Sequence, residues 1–174
     1  MNNIKYYENS ALSNQDILNL LNGKCNIVLY PDMHKYKTIE QLLNPYNCCI
    51  ILYESKPNYG HWCALTKHND NIEFMNSYGG LPDCCLKYIN KDFRKKSKQL
   101  IPYLKKLMFK SPYALFYNEF AFQKKGYDIK TCGRHCVIRC LCKDLNIYQY
   151  KNLLDELCKM WDTDYDGVVT ILTE

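Results

Sequence analysis

The sequence predicts an α+β domain, a mixed central β-sheet packed against helices with Cys132 at the N-terminus of a buried helix. Three observations carry this. Short β-rich runs in the first half give way to helical periodicity in the second, a grouping typical of α+β folds. Two strand-like runs flank the dipeptide Asn69-Asp70, a hairpin signal. Positions 132, 136, 137, 140 and 141 are all apolar or cysteine, which is a broad helical stripe. The 174 residues suit one domain, expected over 1–174, without repeat or linker.

Ser13 ahead of Gln15-Asp16-Ile17-Leu18 predicts a capped helix ended by Gly23. Asn26–Tyr30 and Cys48–Tyr53 are short β-rich runs, the second apolar enough for a central strand. Thr38–Leu43 is a turn or two of helix. His61–His68 and Asn71–Tyr78 are the hairpin strands. Asp83–Met108 is expected to be largely helical and interrupted at Pro102. Ala114–Phe122 is expected as a strand, Cys132–Leu141 as a buried helix and Tyr148–Trp161 as an amphipathic one.

Eleven cysteines, an odd number, occur without an apolar leader at MNNIKYYENS, so reduced thiols and a non-secreted protein are expected. No run reaches the ~18 apolar residues of a membrane span. Net charge is +5, which permits acidic partners without requiring them.

Chemistry concentrates in Gly60-His61-Trp62 and Thr131-Cys132-Gly133. With a two-residue loop at 69–70, Cys63 pairs with Asn76, making His61 and Asn76 diagonal neighbours on one sheet face. The amide oxygen then accepts from one imidazole N–H and sets the tautomer. Thr131 is the expected N-cap of the helix that begins at Cys132. Free N–H groups there, with an imidazolium nearby, lower a thiol pKa from ~8.5 toward ~4. Gly133 would let the backbone approach a substrate carbonyl. The Cys132 amide and Gln123, at the end of the preceding strand, are candidate oxyanion donors.

Each residue has an ordinary alternative. A lone histidine usually packs or sits at the surface, as expected for His34, His68 and His135; Asn76 could open a turn and Gln123 could end a strand. The conjunction and its order favour the chemical reading. Cys132, Cys136 and Cys140 share one helical face, which cannot surround a tetrahedral ion, and no CxxC occurs, so no metal site is expected.

In order and type, Gly60-His61-Trp62, Ile72–Gly79, Gln123 and Cys132-Gly133-Arg134-His135-Cys136 resemble the adenain-type viral cysteine proteases. These proteases are related to the SUMO-specific and other ubiquitin-like-protein proteases. Within the clan the chain is most similar to maturation proteases of virophages and large DNA viruses. The resemblance implies a thiol endopeptidase with His61 as base, Asn76 as its orienting residue, Cys132 as nucleophile and Gln123 as oxyanion donor. It also implies cleavage of viral capsid or core precursors at small-residue sites, by a monomer in the virion, host cytoplasm or virus factory. Asn76 stands where most of the clan has a carboxylate, and Gln123 lies nine residues before Cys132, a longer step than the clan's. No cofactor is required, although adenain uses DNA and a peptide as activators. Arg94, Lys95, Lys96, Lys98, Lys105 and Lys106 are therefore candidate nucleic-acid contacts, as well as ordinary solvated lysines. Alternatives are a protease acting on ubiquitin-like conjugates and a catalytically silent DNA-binding or scaffold protein.

Overall fold

A computed structural model describes residues 2–174, with side chains from Ile4 onward. The helices are α1 (Asn2–Glu8), α2 (Asn14–Leu20), α3 (Glu40–Leu43), α4 (Lys91–Lys96), α5 (Tyr103–Lys110), α6 (Cys132–Leu141), α7 (Ile147–Trp161) and α8 (Tyr165–Ile171). The strands are β1 (Asn26–Leu29), β2 (Cys48–Lys56), β3 (Tyr59–His68), β4 (Asn71–Asn76) and β5 (Ala114–Tyr117). They form one sheet in sequence order, parallel at both edges and antiparallel between.

Period-two alternation sends neighbouring side chains into two cores. Cys48, Ile50, Leu52, Trp62, Ala64 and Met75 meet Ile17 of α2, Val137 of α6, Tyr150 of α7 and Val168 of α8. Cys49, Ile51, Tyr53, Cys63, Leu65 and Phe74 meet Met33, Leu42, Leu104 and Leu107 on the other face. The adjacent pair Cys48-Cys49 is thus shared between the cores, and all eleven cysteines are free thiols. No helix among the described residues is long and apolar enough to cross a membrane.

Cys63 pairs with Asn76, the register expected from a two-residue loop. The Ser13 cap is also present, as a capping box with Asp16. Three expectations need correction. Asp83–Met108 is divided into a 3-10 turn (Cys84–Tyr88), α4 and α5. Asn90 caps α4, and Pro102 sits at the N-cap of α5. Between them, buried Gln99 bonds both backbone groups of Glu54, at 3.2 Å to the N–H and 2.9 Å to the carbonyl. Second, β5 ends at Tyr117 and not at Phe122, because Asn118 turns inward and pairs through its side chain. Third, α1, α8 and the 3-10 turn Tyr30–Lys35 were not anticipated from the sequence. The caps of the last two, Asp164 bonding the Gly167 N–H and Pro31 at the first turn, are visible in it.

Candidate active site

The last β3–β4 rung is Cys63–Asn76, and the site begins where that ladder stops. His61, one pleat beyond it, donates from Nε2 to Asn76 Oδ1 at 2.8 Å. The amide cannot be reversed. Its Oδ1 also accepts from the Tyr78 N–H at 3.0 Å, while Nδ2 donates to the Gly79 carbonyl at 2.9 Å. His61 therefore carries its proton on Nε2 and leaves Nδ1 as the free base. Tyr78 stacks on the imidazole at 4.9 Å and 19°, fixing the ring plane, a role the sequence reading missed. Burial lowers the His61 pKa against the opposing bond to Asn76. Gly60 is obligatory, since a Cβ there would lie 1.9 Å from the Tyr53 carbonyl oxygen.

Cys132 opens α6 on the opposite face of the sheet and reaches the same cleft, a cavity of about 970 Å³ lined also by His61, Asn76, Tyr78, Gln123 and Trp62. The N–H groups of Trp62, Gly133 and Cys132 itself favour the thiolate, but burial outweighs them and pushes the thiol pKa up. This corrects the expected depression: no imidazolium offsets the desolvation, and no direct His61–Cys132 hydrogen bond occurs among the described residues. Burial thus favours the thiol form of Cys132 and the neutral form of His61, in one cleft.

Thr131 occupies the N-cap position without capping through its side chain; its hydroxyl donates to Asp166 instead. Gly133 faces Trp62 and Leu12, where a Cβ would come within 3.3 Å of each, so its small size also serves packing.

Gln123 is buried in the cleft wall within an irregular segment, not at a strand end. Ser77 donates to its Oε1 at 2.7 Å, which orients the amide so that Nε2 donates to the Ile129 carbonyl at 3.2 Å. The expected oxyanion donor has one of its two N–H groups already committed to that loop.

Two further residues hold the site together. Buried Asn118 accepts from the Asn76 N–H at 3.0 Å and donates to its carbonyl at 2.7 Å, extending the sheet by one pseudo-rung. Buried Asp166, on α8, accepts from the Lys124 N–H, the Thr131 hydroxyl and His135 Nε2. Asp166 thereby ties the residue after Gln123 to the residue before Cys132. Neither stands out in the sequence, since Asn118 is followed by Glu119 and Asp166 lies in the polar run Asp162-Thr163-Asp164-Tyr165-Asp166. His135 is accordingly packed and buried, one of the two ordinary placements expected for it.

The candidate nucleic-acid contacts lie outside the cleft. Arg94, Lys95 and Lys96 are on α4, Lys98 follows it, and Lys105 and Lys106 are on α5, so they do not form one continuous helical face. The Arg94 guanidinium bonds the carbonyls of Gln99 and Leu100, at 3.2 and 3.3 Å. His61, Cys63 and Cys85 place ligand atoms within 4.8 Å of one another.

No family model matches the sequence. The chain is 53% identical over 174 residues to the Sputnik virophage "Uncharacterized protein V9", covering 99% of each. The chain belongs to the V9 family. Among solved structures, it overlaps the central domain of the Legionella pneumophila protein Lpg1148 with a TM-score of 0.39 at 14% identity, covering 94% of this chain and 98% of that one. The SUMO protease Ulp1 with its catalytic cysteine oxidised to a sulfinic acid gives 0.32 at 14%, covering 98% and 74%. The yeast Ulp1 protease domain in complex with Smt3 gives 0.34 at 15%, covering 98% and 70%. At scores of this size the reading of the V9-family site rests on its own geometry.

Proposed function

We propose that this V9-family protein is a cysteine endopeptidase that cleaves viral capsid or core precursors at small-residue sites. The observation that carries the reading is the His61–Asn76 pair, whose fixed amide leaves Nδ1 unprotonated in the cleft that Cys132 lines. The virophage source of its relative supports a viral substrate.

In the proposed reaction a bound peptide excludes water and draws thiol and imidazole together. The Cys132 proton passes to His61 Nδ1, and the thiolate attacks the scissile carbonyl to form a C–S bond. The Cys132 N–H, with the uncommitted N–H of Gln123 where the loop permits, receives the oxyanion. His61 returns the proton to the leaving amine as the C–N bond breaks. Water then gives a proton to the same nitrogen and adds to the thioester carbonyl; the C–S bond breaks, and His61 returns that proton to the Cys132 sulfur. DNA or a viral peptide is the proposed activator, one that would offset the burial that raises the Cys132 pKa. The proposed setting is the virion or virus factory, with the protein acting as a monomer.

Incubating the purified protein with virophage structural precursors, with and without DNA, tests this by mass spectrometry of the products. Defined cleavage that disappears in Cys132→Ala is the expected result. Rapid labelling by a ubiquitin or SUMO C-terminal probe, with no precursor cleavage, would replace it with the conjugate-protease reading. Absence of both would leave a silent fold.

A further inference from the structure

Three thiols meet far from any role in the cleft. Cys25 precedes the first residue of β1 and Cys48 opens β2, and the parallel register pairing Asn26 with Cys49 sets the two side by side. Cys140, near the end of α6, comes down onto them from the helical layer. All three sulfur atoms lie within 4.8 Å of one another, and the residues are 4%, 1% and 2% exposed. Helical spacing alone does not bring donors around an ion, but here two strand starts supply what one helix face lacks.

We propose that Cys25, Cys48 and Cys140 form an all-sulfur, three-coordinate site for a soft monovalent cation, cuprous copper. Metal–sulfur bonds of ~2.3 Å in a trigonal arrangement place the sulfurs about 4 Å apart, so the thiols need only a small contraction to bind. Soft thiolates select cuprous copper and zinc over harder ions. Zinc takes a fourth ligand, and among the described residues no further histidine, cysteine or carboxylate joins this group. The thiols have only weak acceptors now, the Asn26 carbonyl at 3.2 Å from Cys25 and the Lys24 carbonyl at 3.4 Å from Cys48.

The three thiol protons leave to solvent as the ion binds. Its structural effect would be to fasten α6 to the starts of β1 and β2, whatever Cys132 does at the other end of the helix.

The test is an anaerobic titration of the reduced full chain with cuprous ion against a chromogenic cuprous chelator. X-ray absorption of the loaded protein supplies the ligand count. One ion per chain, three sulfur neighbours, no nitrogen and a raised melting temperature are expected. Cys25→Ser and Cys48→Ser should each weaken binding by more than the roughly 10–100-fold typical of changes outside a ligand set. Cys132→Ala and the double variant Cys63→Ala/Cys85→Ala should bind as the parent does. A nitrogen neighbour would place the ion at His61, Cys63 and Cys85 and overturn the proposal, as would failure to compete with the chelator. Should the serine variants not fold, the sulfur count on the unsubstituted chain decides alone.

Discussion

Asn76 uses both ends of its amide. It accepts from His61 and the Tyr78 N–H while donating to the Gly79 carbonyl. Asn76→Asp would add a charge able to stabilise imidazolium, but would set an oxygen against that carbonyl and strip a buried donor. A stability loss of ~1–3 kcal/mol is expected in urea unfolding, with the proposed peptidase activity reduced in the precursor-cleavage assay. The pH response follows from the two opposed shifts. The Cys132 pKa is raised by burial, so the folded state favours the thiol and loses stability as pH rises past the ordinary thiol value of ~8.5. The His61 pKa is lowered, so stability present above ~6.5 is lost as pH falls through the folded value. Iodoacetamide should accordingly label Cys132 slowly at pH 6 and faster in the alkaline range, followed by peptide mass mapping. Fast labelling at pH 6 in the free protein would contradict the raised Cys132 pKa.

The site depends on elements that end where they do. β5 stops at Tyr117 so that Asn118 can grip both backbone groups of Asn76. Asn118→Ala leaves a buried N–H and a buried C=O without those partners, at a cost of ~1–3 kcal/mol each. The expected outcome is a chain that folds with a lowered melting temperature and cleaves slowly at unchanged Cys132 content. The irregular segment before α6 is likewise held from α8, because Asp166 collects Lys124, Thr131 and His135 at one carboxylate. Alternation and loop length made the hairpin register readable in advance. The end of β5 was not readable, because Ala114–Phe122 continues the pattern and only a contact forty-two residues away interrupts it.

Across the whole molecule, α6 joins the chemistry to the core. Its Arg139 is buried and paired with Glu73 of β4, at 2.9 Å from Nε and 2.5 Å from a terminal nitrogen. It also donates to the carbonyls of Cys142 and Leu145, while Glu73 accepts from the Ile147 N–H that begins α7. Glu73→Ala would strand a buried guanidinium and should destabilise the fold by ~3–5 kcal/mol in denaturant unfolding. Glu73→Leu combined with Arg139→Met should recover part of that loss, since no charge is then left unpaired.

The α+β class, the hairpin pairing of Cys63 with Asn76 and the helix beginning at Cys132 are all legible in the order of residues, and with them the grouping of His61, Asn76 and Cys132. These follow from period, turn length and local spacing, which a chain carries within a few residues. The state of that group is set instead by packing. Desolvation against the helix N–H groups, the Ile129 carbonyl on Gln123, the Asp166 hold on Thr131 and the meeting of Cys25, Cys48 and Cys140 all arise between distant segments. Such contacts depend on three-dimensional proximity and on the dielectric around each group, and neither is encoded in local order.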